Sequence, residues 1–367
     1  MAATINDDTQ SIVVGNGSDR VAINLKQGPV DQSQSFLLTS ILIEMGDIEI
    51  RIRRSAQGTD QYKKREASLP TSVRSAPITY QNGNQEKKNT AEEKPNAHQT
   101  HWDYSISHGP HMWGRIFPQI QCKKFQSPIR IYTDQCEYEP ELTRRPFVFH
   151  ADENCCQTLE NTGHSFQVSG KGSSSITGGP VPDEYRFLQF HMHWGSNDLE
   201  GAEHVVDGVR LPGELHIVTW NTSRYRTPQA AAASEQFDGL MVFGILIKIA
   251  PSDNQEVDKL LNLFSKIVHK GEKVDLDDET VSLKKLMPKN MQDYYTYDGS
   301  LTTPMCSESV RWIVFREQMG LSRRQFDQLR QLKHACKGEN NTTNGNISQN
   351  FRPVMPLNGR LVYRSFC

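Results

Sequence analysis

The sequence predicts a mainly β protein with a few peripheral helices, and three observations carry that expectation. From His101 onward, short apolar runs alternate with Gly, Pro and Asn clusters in the manner of strands and turns. Only two stretches of the same region set their apolar residues at helical intervals. Ahead of it, from about Ser55 to Thr100, the chain is polar and charge-mixed, with too little apolar material to offset the entropy of ordering a backbone.

Taken in order, the candidate strands are Ile129–Tyr132, Phe147–His150, Ser165–Val168, Tyr185–Trp194, Glu214–Trp220, Leu240–Ala250 and Val310–Phe315, each bounded by turn formers. Asp207-Gly208 favours a tight turn with positive φ, and with it an antiparallel pairing of Tyr185–Trp194 with Glu214–Trp220. The first helical pattern opens with Ser252 and Gln255 as a capping box. It then sets Val257, Leu260, Leu261, Phe264 and Val268 on one face, as far as His269. Ser322 caps the second, which runs through Leu332.

With 367 residues, the chain accommodates a folded domain over 101–367 and an N-terminal extension over 1–100, largely disordered or linker. Within the extension, Ile48, Ile50 and Ile52 alternate with Glu49, Arg51 and Arg53 as in a half-buried strand, with little nearby to form a core. A net charge of -2 and a pI near 6.6 leave no basic excess for nucleic acid. No apolar run reaches the eighteen residues of a membrane span. Phe36 to Ile43 is broken by Glu44 and lies far from Met1, so no signal peptide is expected. The seven cysteines form no C-x-x-C pair, and being odd in number they leave at least one thiol unpaired or paired between chains. Glycosylation sequons occur at Asn16, Asn221, Asn340, Asn341 and Asn346.

The chemistry concentrates in two segments. In RFLQFHMHWG, period-two alternation puts Gln189, His191 and His193 on one face and Leu188, Phe190, Met192 and Trp194 on the other. Histidines at i and i+2 stand about 6.5 Å apart along a strand, so their rings can converge on one ion. In ELHIVTW, Glu214, His216 and Val218 share a face, and pairing of the two strands brings His216 beside the others. Three imidazoles without a fourth protein ligand describe a catalytic zinc site, since structural sites close the tetrahedron. Iron(II) prefers two histidines and a carboxylate, and Mg²⁺ or Ca²⁺ prefer oxygens. Gln189 and Glu214, each two residues from a ligand on the same face, are positioned to accept the histidines' other N–H groups. A cupin-type site would place a Glu three or four residues after the second His, where this chain has Asn197 and Asp198.

These segments resemble the α-carbonic anhydrases: QFHMHWGSNDLEGAEHVVDG from Gln189, GELHIVTWN from Gly213 and YDGSLTTPMCSESVRWIVF from Tyr297. The likeness continues in HWDY at His101, GPHMWG at Gly109, QSPI at Gln126, NTGHSF at Asn161, DGLMVFGI at Asp238 and NFRPVMPLNGR at Asn350. It implies a large, twisted, mostly antiparallel central sheet of about ten strands with peripheral helices, a Zn²⁺ cofactor, and reversible hydration of CO₂ to bicarbonate and a proton. Zinc lowers the pKa of a bound water to about 7, and this family is itself the standard example of the effect.

By the same resemblance, Thr302 orients the nucleophile by accepting a hydrogen bond from it while donating to an ionised Glu203. Val218, Val242, Leu301, Thr303, Val310 and Trp312 match the wall where CO₂ rests. His164 matches the proton shuttle, suited to that task by an ordinary imidazole pKa near 6.5. Tyr104, Thr162 and Gln167 match residues that order a water chain, the last two replacing amide side chains common there, and His204 matches a buried structural histidine. Cys122 and Cys306 fall where secreted members carry a disulfide, which together with the sequons favours an extracellular protein over a cytoplasmic one. The alternative function is a non-catalytic, carbonic anhydrase-like matrix or binding protein; such relatives typically lose a zinc histidine, and this chain keeps all three.

Overall fold

The computed structural model describes residues 101–150, 155–172, 174–276, 281–339 and 345–367 in full, and the backbone of five strands nearer the N-terminus. The chain divides into two compact units, Met1–Glu92 and Glu93–Cys367. In the first, Ala2–Asn6, Ser11–Asn16 and Asp19–Asn24 form a three-stranded antiparallel sheet, and Leu37–Ile43 pairs with Ile50–Ser55. The alternation at Ile50 and Ile52 thus falls in a strand. The linker expected over 55–100 lies, beyond Ser55, outside the described residues.

The second unit is built on one sheet of thirteen strands among the described residues. Seven of them organise it: β1 (Cys156–Asn161), β2 (Phe166–Gly170), β3 (Tyr185–Trp194), β4 (Gly213–Asn221), β5 (Leu240–Ile249), β6 (Tyr294–Gly299) and β7 (Val310–Phe315). Their order is β1-β2-β3-β4-β5-β7-β6, extended at one edge by Lys273–Asp275 and at the other by Tyr363–Arg364 and Glu137–Tyr138. Neighbours among the seven run antiparallel except β5 and β7. The expected large, mostly antiparallel sheet is present, and the short edge strands that alternation could not reveal make it wider than ten.

Each face of the sheet has its own environment. Phe190, Met192 and Trp194 of β3, Leu215 and Ile217 of β4, Phe243 and Ile245 of β5 and Phe315 of β7 form the main core with residues of the helices, chiefly two of seven residues each. These are α1 (Gln255–Leu261), which contributes Val257, Leu260 and Leu261, and α2 (Arg323–Leu329), which contributes Phe326 and Leu329. On the opposite face Val218, Val242, Val310 and Trp312 make a smaller apolar cluster joined by Leu188 and Leu301. Leu188 was expected on the face of Phe190. A register shift between Phe187 and Gln189 inserts an extra residue, which places Phe187 in the main core and turns Leu188 to the other side.

Other local expectations need correction. Asp207 and Gly208 have φ of 49° and 78°, as a tight turn requires, but that turn joins Val206 to Val209 within the excursion between β3 and β4. The antiparallel β3–β4 pairing is therefore correct without being a simple hairpin. α1 is capped by Asn254, whose Oδ1 accepts from the N–H groups of Glu256 and Val257 at 3.0 and 3.2 Å, and not by Ser252. It stops at Leu261, and Phe264 is buried by a separate 3₁₀ turn, Phe264–Lys266. Ser322 does cap α2 in a capping box with Gln325, and that helix ends at Leu329. No helix among the described residues is long and apolar enough to cross a membrane.

Candidate metal centre

The register of three strands assembles the site. On β3 and β4, His191 lies directly opposite His216 and His193 opposite Glu214, while Gln167 of β2 flanks His191 from the other side. Ligand atoms of His191, His193 and His216 all fall within 4.8 Å of one another. His191 Nε2 and His193 Nε2 are 3.1 Å apart. Two ligands about 2.0–2.1 Å from a tetrahedral zinc would be separated by about 3.3 Å, so His191 and His193 stand at the spacing one zinc ion requires.

Which nitrogen each ring offers is settled by what the other one touches. His191 Nδ1 donates to Gln189 Oε1 (2.9 Å), His193 Nδ1 to the Asn350 backbone oxygen (2.7 Å) and His216 Nε2 to Glu214 Oε1 (2.8 Å). Since each partner is an acceptor, each of those nitrogens carries the proton. Nε2 of His191, Nε2 of His193 and Nδ1 of His216 keep their lone pairs for a metal. Burial, the leading cause in all three, lowers the imidazole pKa values, His191 well below the ordinary range and His193 to about 4, so the rings are neutral ligands.

Glu214 is an orienter and not a ligand. Its Oε1 accepts from both His216 and His204 (2.7 Å), and its Oε2 from the His204 backbone N–H (2.8 Å). Burial alone would raise its pKa, yet the adjoining His204 and His216 imidazoles and their hydrogen bonds hold it well below the ordinary carboxylate value. Gly244, opposite His216 on β5, admits this carboxylate: a Cβ there would stand 2.7 Å from Glu214 Oε1. His204 continues the chain through Tyr297 Oη (2.7 Å) to Ser127 Oγ (2.9 Å), in keeping with a structural role.

Glu203 is fully buried on the same side. Its Oε1 accepts from the Arg352 backbone N–H at 2.8 Å. Its Oε2 lies 3.5 Å from His193 Nε2 and 3.9 Å from His216 Nδ1, with no hydrogen-bond partner among the described residues. Burial pushes this carboxyl up to about 7, against the opposing influences of His216, the Thr302 hydroxyl and the Arg352 N–H. A buried carboxyl oxygen within 4 Å of two of these lone pairs is an arrangement that a cation completes, and the donor set suits zinc.

Around the trio, the expected pocket residues Val218, Val242, Val310, Trp312 and Leu301 share the apolar cluster on this face, with the Trp312 ring 4.8 Å from that of His216. Thr302 is buried and Thr303 is half-buried. Tyr104 packs edge-on against Trp113, and burial, then the Glu203 charge, raises its phenol well above the ordinary value. Thr162 instead closes its own turn, its hydroxyl donating to the Ser165 oxygen (2.9 Å) and accepting the Ser165 N–H (3.1 Å).

His164 differs from expectation in its environment. Its ring stacks on Trp102 at 3.8 Å with 9° between planes, and Nδ1 is buried with no partner among the described residues. Burial, then the charges of Lys270 and His101, push its pKa from 6.5 down to about 4. Residues that sequence reasoning did not assign are Asn350, Arg352 and Gly244. Asn350 holds His193 by its carbonyl and Trp194 N–H by its side chain (2.7 Å), and also donates to the His164 oxygen (2.9 Å). All three lie inside quoted motifs, yet only tertiary contacts disclose their partners.

Comparison with known proteins bears on the same residues. Residues 108–366 match the family described as eukaryotic-type carbonic anhydrase. Mouse carbonic anhydrase 1 is 37% identical over 268 residues, covering 72% of this chain and 98% of that protein.

Proposed function

Because the chain belongs to the eukaryotic-type carbonic anhydrases and catalyses reversible, zinc-dependent hydration of CO₂ to bicarbonate and a proton, we propose how its own residues divide that work. His191, His193 and His216 hold the zinc, which when bound supplies Lewis acidity and a nucleophile from water near neutral pH, carbonic anhydrase being the standard example of this effect. Gln189, Glu214 and the Asn350 carbonyl lock the ring tautomers, so the ligands need no rearrangement. When Glu203 is ionised, Thr302 donates to it, in line with the hydroxyl's lowering influence on that carboxyl, which leaves its own oxygen as an acceptor to align the attacking group. Leu188, Val218, Val242, Leu301 and Trp312 provide an apolar rest for CO₂ and exclude competing water.

His164 carries the proton outward. The observation behind this role is a buried Nδ1 without a partner among the described residues, in a ring stacked on Trp102, a position from which it can swing. While stacked, its pKa of about 4 makes acceptance from a donor near 7 unfavourable; turned into solvent, it returns toward 6.5 and exchanges readily. His164→Ala is expected to slow turnover roughly tenfold to a hundredfold in weak buffer, with recovery on adding imidazole, in stopped-flow CO₂ hydration. An equal loss in every buffer would remove His164 from the pathway. The assembled trio, Glu203 and Thr302 favour this enzyme reading over a non-catalytic matrix protein.

An extracellular setting is part of the proposal. Cys122 is exposed, Cys306 is buried, and both carry free thiols in this structure, while the Gln119 side chain meets Met305 Sδ at 3.4 Å and so brings their segments together. Bridging requires Cys122 Sγ to leave the Gln119 oxygen, 3.1 Å away. Glycosylation at Asn221 is disfavoured, because that side chain is buried and donates to Asp183 (3.0 Å) and the Asp238 oxygen (3.1 Å). Asn346 is partly exposed; Asn340 and Asn341 lie outside the described residues, as does the side chain of Asn16. Non-reducing peptide mapping of the native protein is expected to recover a Cys122–Cys306 linked peptide, and two alkylatable thiols there would overturn the extracellular assignment.

A further inference from the structure

We propose that His101, Asp103 and His108 form a second, solvent-accessible site for a borderline first-row dication such as Cu²⁺, Ni²⁺ or Zn²⁺, separate from the catalytic trio. One ligand atom from each of the three lies within 4.8 Å of the other two. The two imidazole rings stand 5.1 Å apart at 67°, close to the 5.0 Å and 73° of His191 and His193 in the catalytic trio. His101 Nε2 is 3.3 Å from Asp103 Oδ2. The remaining polar atoms are already engaged by the loop: the Ser105 N–H donates to Asp103 Oδ1 (2.8 Å), and Ser107 Oγ is 2.9 Å from His108 Nδ1. With Ser107 Oγ accepting from His108 Nδ1, His108 Nε2 keeps its lone pair beside the Asp103 Oδ2 that His101 Nε2 already approaches.

The loop itself is braced. The Asp103 N–H donates to the His108 oxygen (3.1 Å), and Trp113 Nε1, on a fully buried ring, donates to the Asp103 and His108 oxygens at 3.2 and 3.0 Å. The two ends that carry the ligands are thereby held together before any ion arrives, which reduces the ordering cost of binding. Two nitrogens and one carboxylate select against Mg²⁺ and Ca²⁺, which prefer all-oxygen shells. Side-chain exposures of 57% for His101 and 22% for Asp103 leave room for water to complete the coordination. Asp103 also borders a cavity of about 250 Å³ lined in part by His164 and His334.

The test titrates the zinc-loaded full-length protein with CuSO₄ and follows bound Cu²⁺ by electron paramagnetic resonance and calorimetry. One Cu²⁺ beyond the catalytic ion is expected, with a nitrogen-coordinated spectrum. His108→Ala and Asp103→Asn should each weaken it roughly tenfold or more, while zinc content and CO₂ hydration stay at the parent level. His101→Ala combined with His108→Ala should abolish it. Absence of a second ion, which would leave His101 and Asp103 as an ion pair only, overturns the proposal. Binding that persists undiminished in the double variant overturns it equally, by assigning the ion to other surface histidines.

Discussion

His216→Ala is expected to yield a folded protein that retains no zinc after dialysis against a mild chelator and has no measurable CO₂ hydration above the metal-free parent. Losing even a residue that orients a ligand weakens metal binding about 10- to 100-fold, and His216 supplies one of only three ligand atoms, so the loss should exceed that range. The substitution also deprives Glu214 of one of its two imidazole donors in a fully buried setting, at a cost of about 1–3 kcal/mol. A fall in melting temperature should therefore accompany the loss of metal. Chelation of the parent chain followed by zinc addition provides the reference: activity should vanish and return in step with metal content. A His216→Ala protein that keeps stoichiometric zinc and activity would refute the three-histidine centre.

Thr302→Ala should leave zinc content intact while kcat/KM falls about 10²-fold, the scale of one lost transition-state hydrogen bond in a dry site. The physical reason is directional. Thr302 can present an acceptor to the reacting group only if its proton is committed elsewhere, and on the proposed relay Glu203, when ionised, takes it, having one buried oxygen without a partner among the described residues. Glu203→Gln should produce a comparable loss, because an amide can donate toward Thr302 and reverse its hydroxyl. Since both changes break one relay, the double variant should lose little more than either alone. Thr302→Ser, which keeps the hydroxyl, should restore most of the rate. Additive losses in the pair, or an inactive Thr302→Ser, would show that the two residues do not act as a relay.

The catalytic trio was legible because its information is local. Alternation along Gln189–His193 and Glu214–Val218 assigned each side chain to a face, and pairing of two adjacent strands then placed His191 opposite His216. Gln189 and Glu214 were legible for the same reason, being two residues from their ligands on the same face. The capping box at Ser322 and the positive-φ turn at Asp207-Gly208 were likewise local signals. Their limits were local too. A single extra residue near Leu188 reversed its face, and Asn254, two positions beyond Ser252, proved the better-placed cap. Edge strands such as Lys273–Asp275 and Tyr363–Arg364 are too short to show alternation.

By itself, then, the sequence determined a β-rich domain, the three zinc histidines and the carbonic anhydrase family, since periodicity and motif order are properties of contiguous residues. Tertiary structure alone decided that a carbonyl of Asn350, 157 positions from His193, completes the ligand orientation, and that Gly244 makes room for the Glu214 carboxylate. It alone decided that burial, then the charges of Lys270 and His101, hold the His164 ring far from its solution pKa. Desolvation and close approach depend on what the rest of the chain brings near a group, and no spacing along the chain records that.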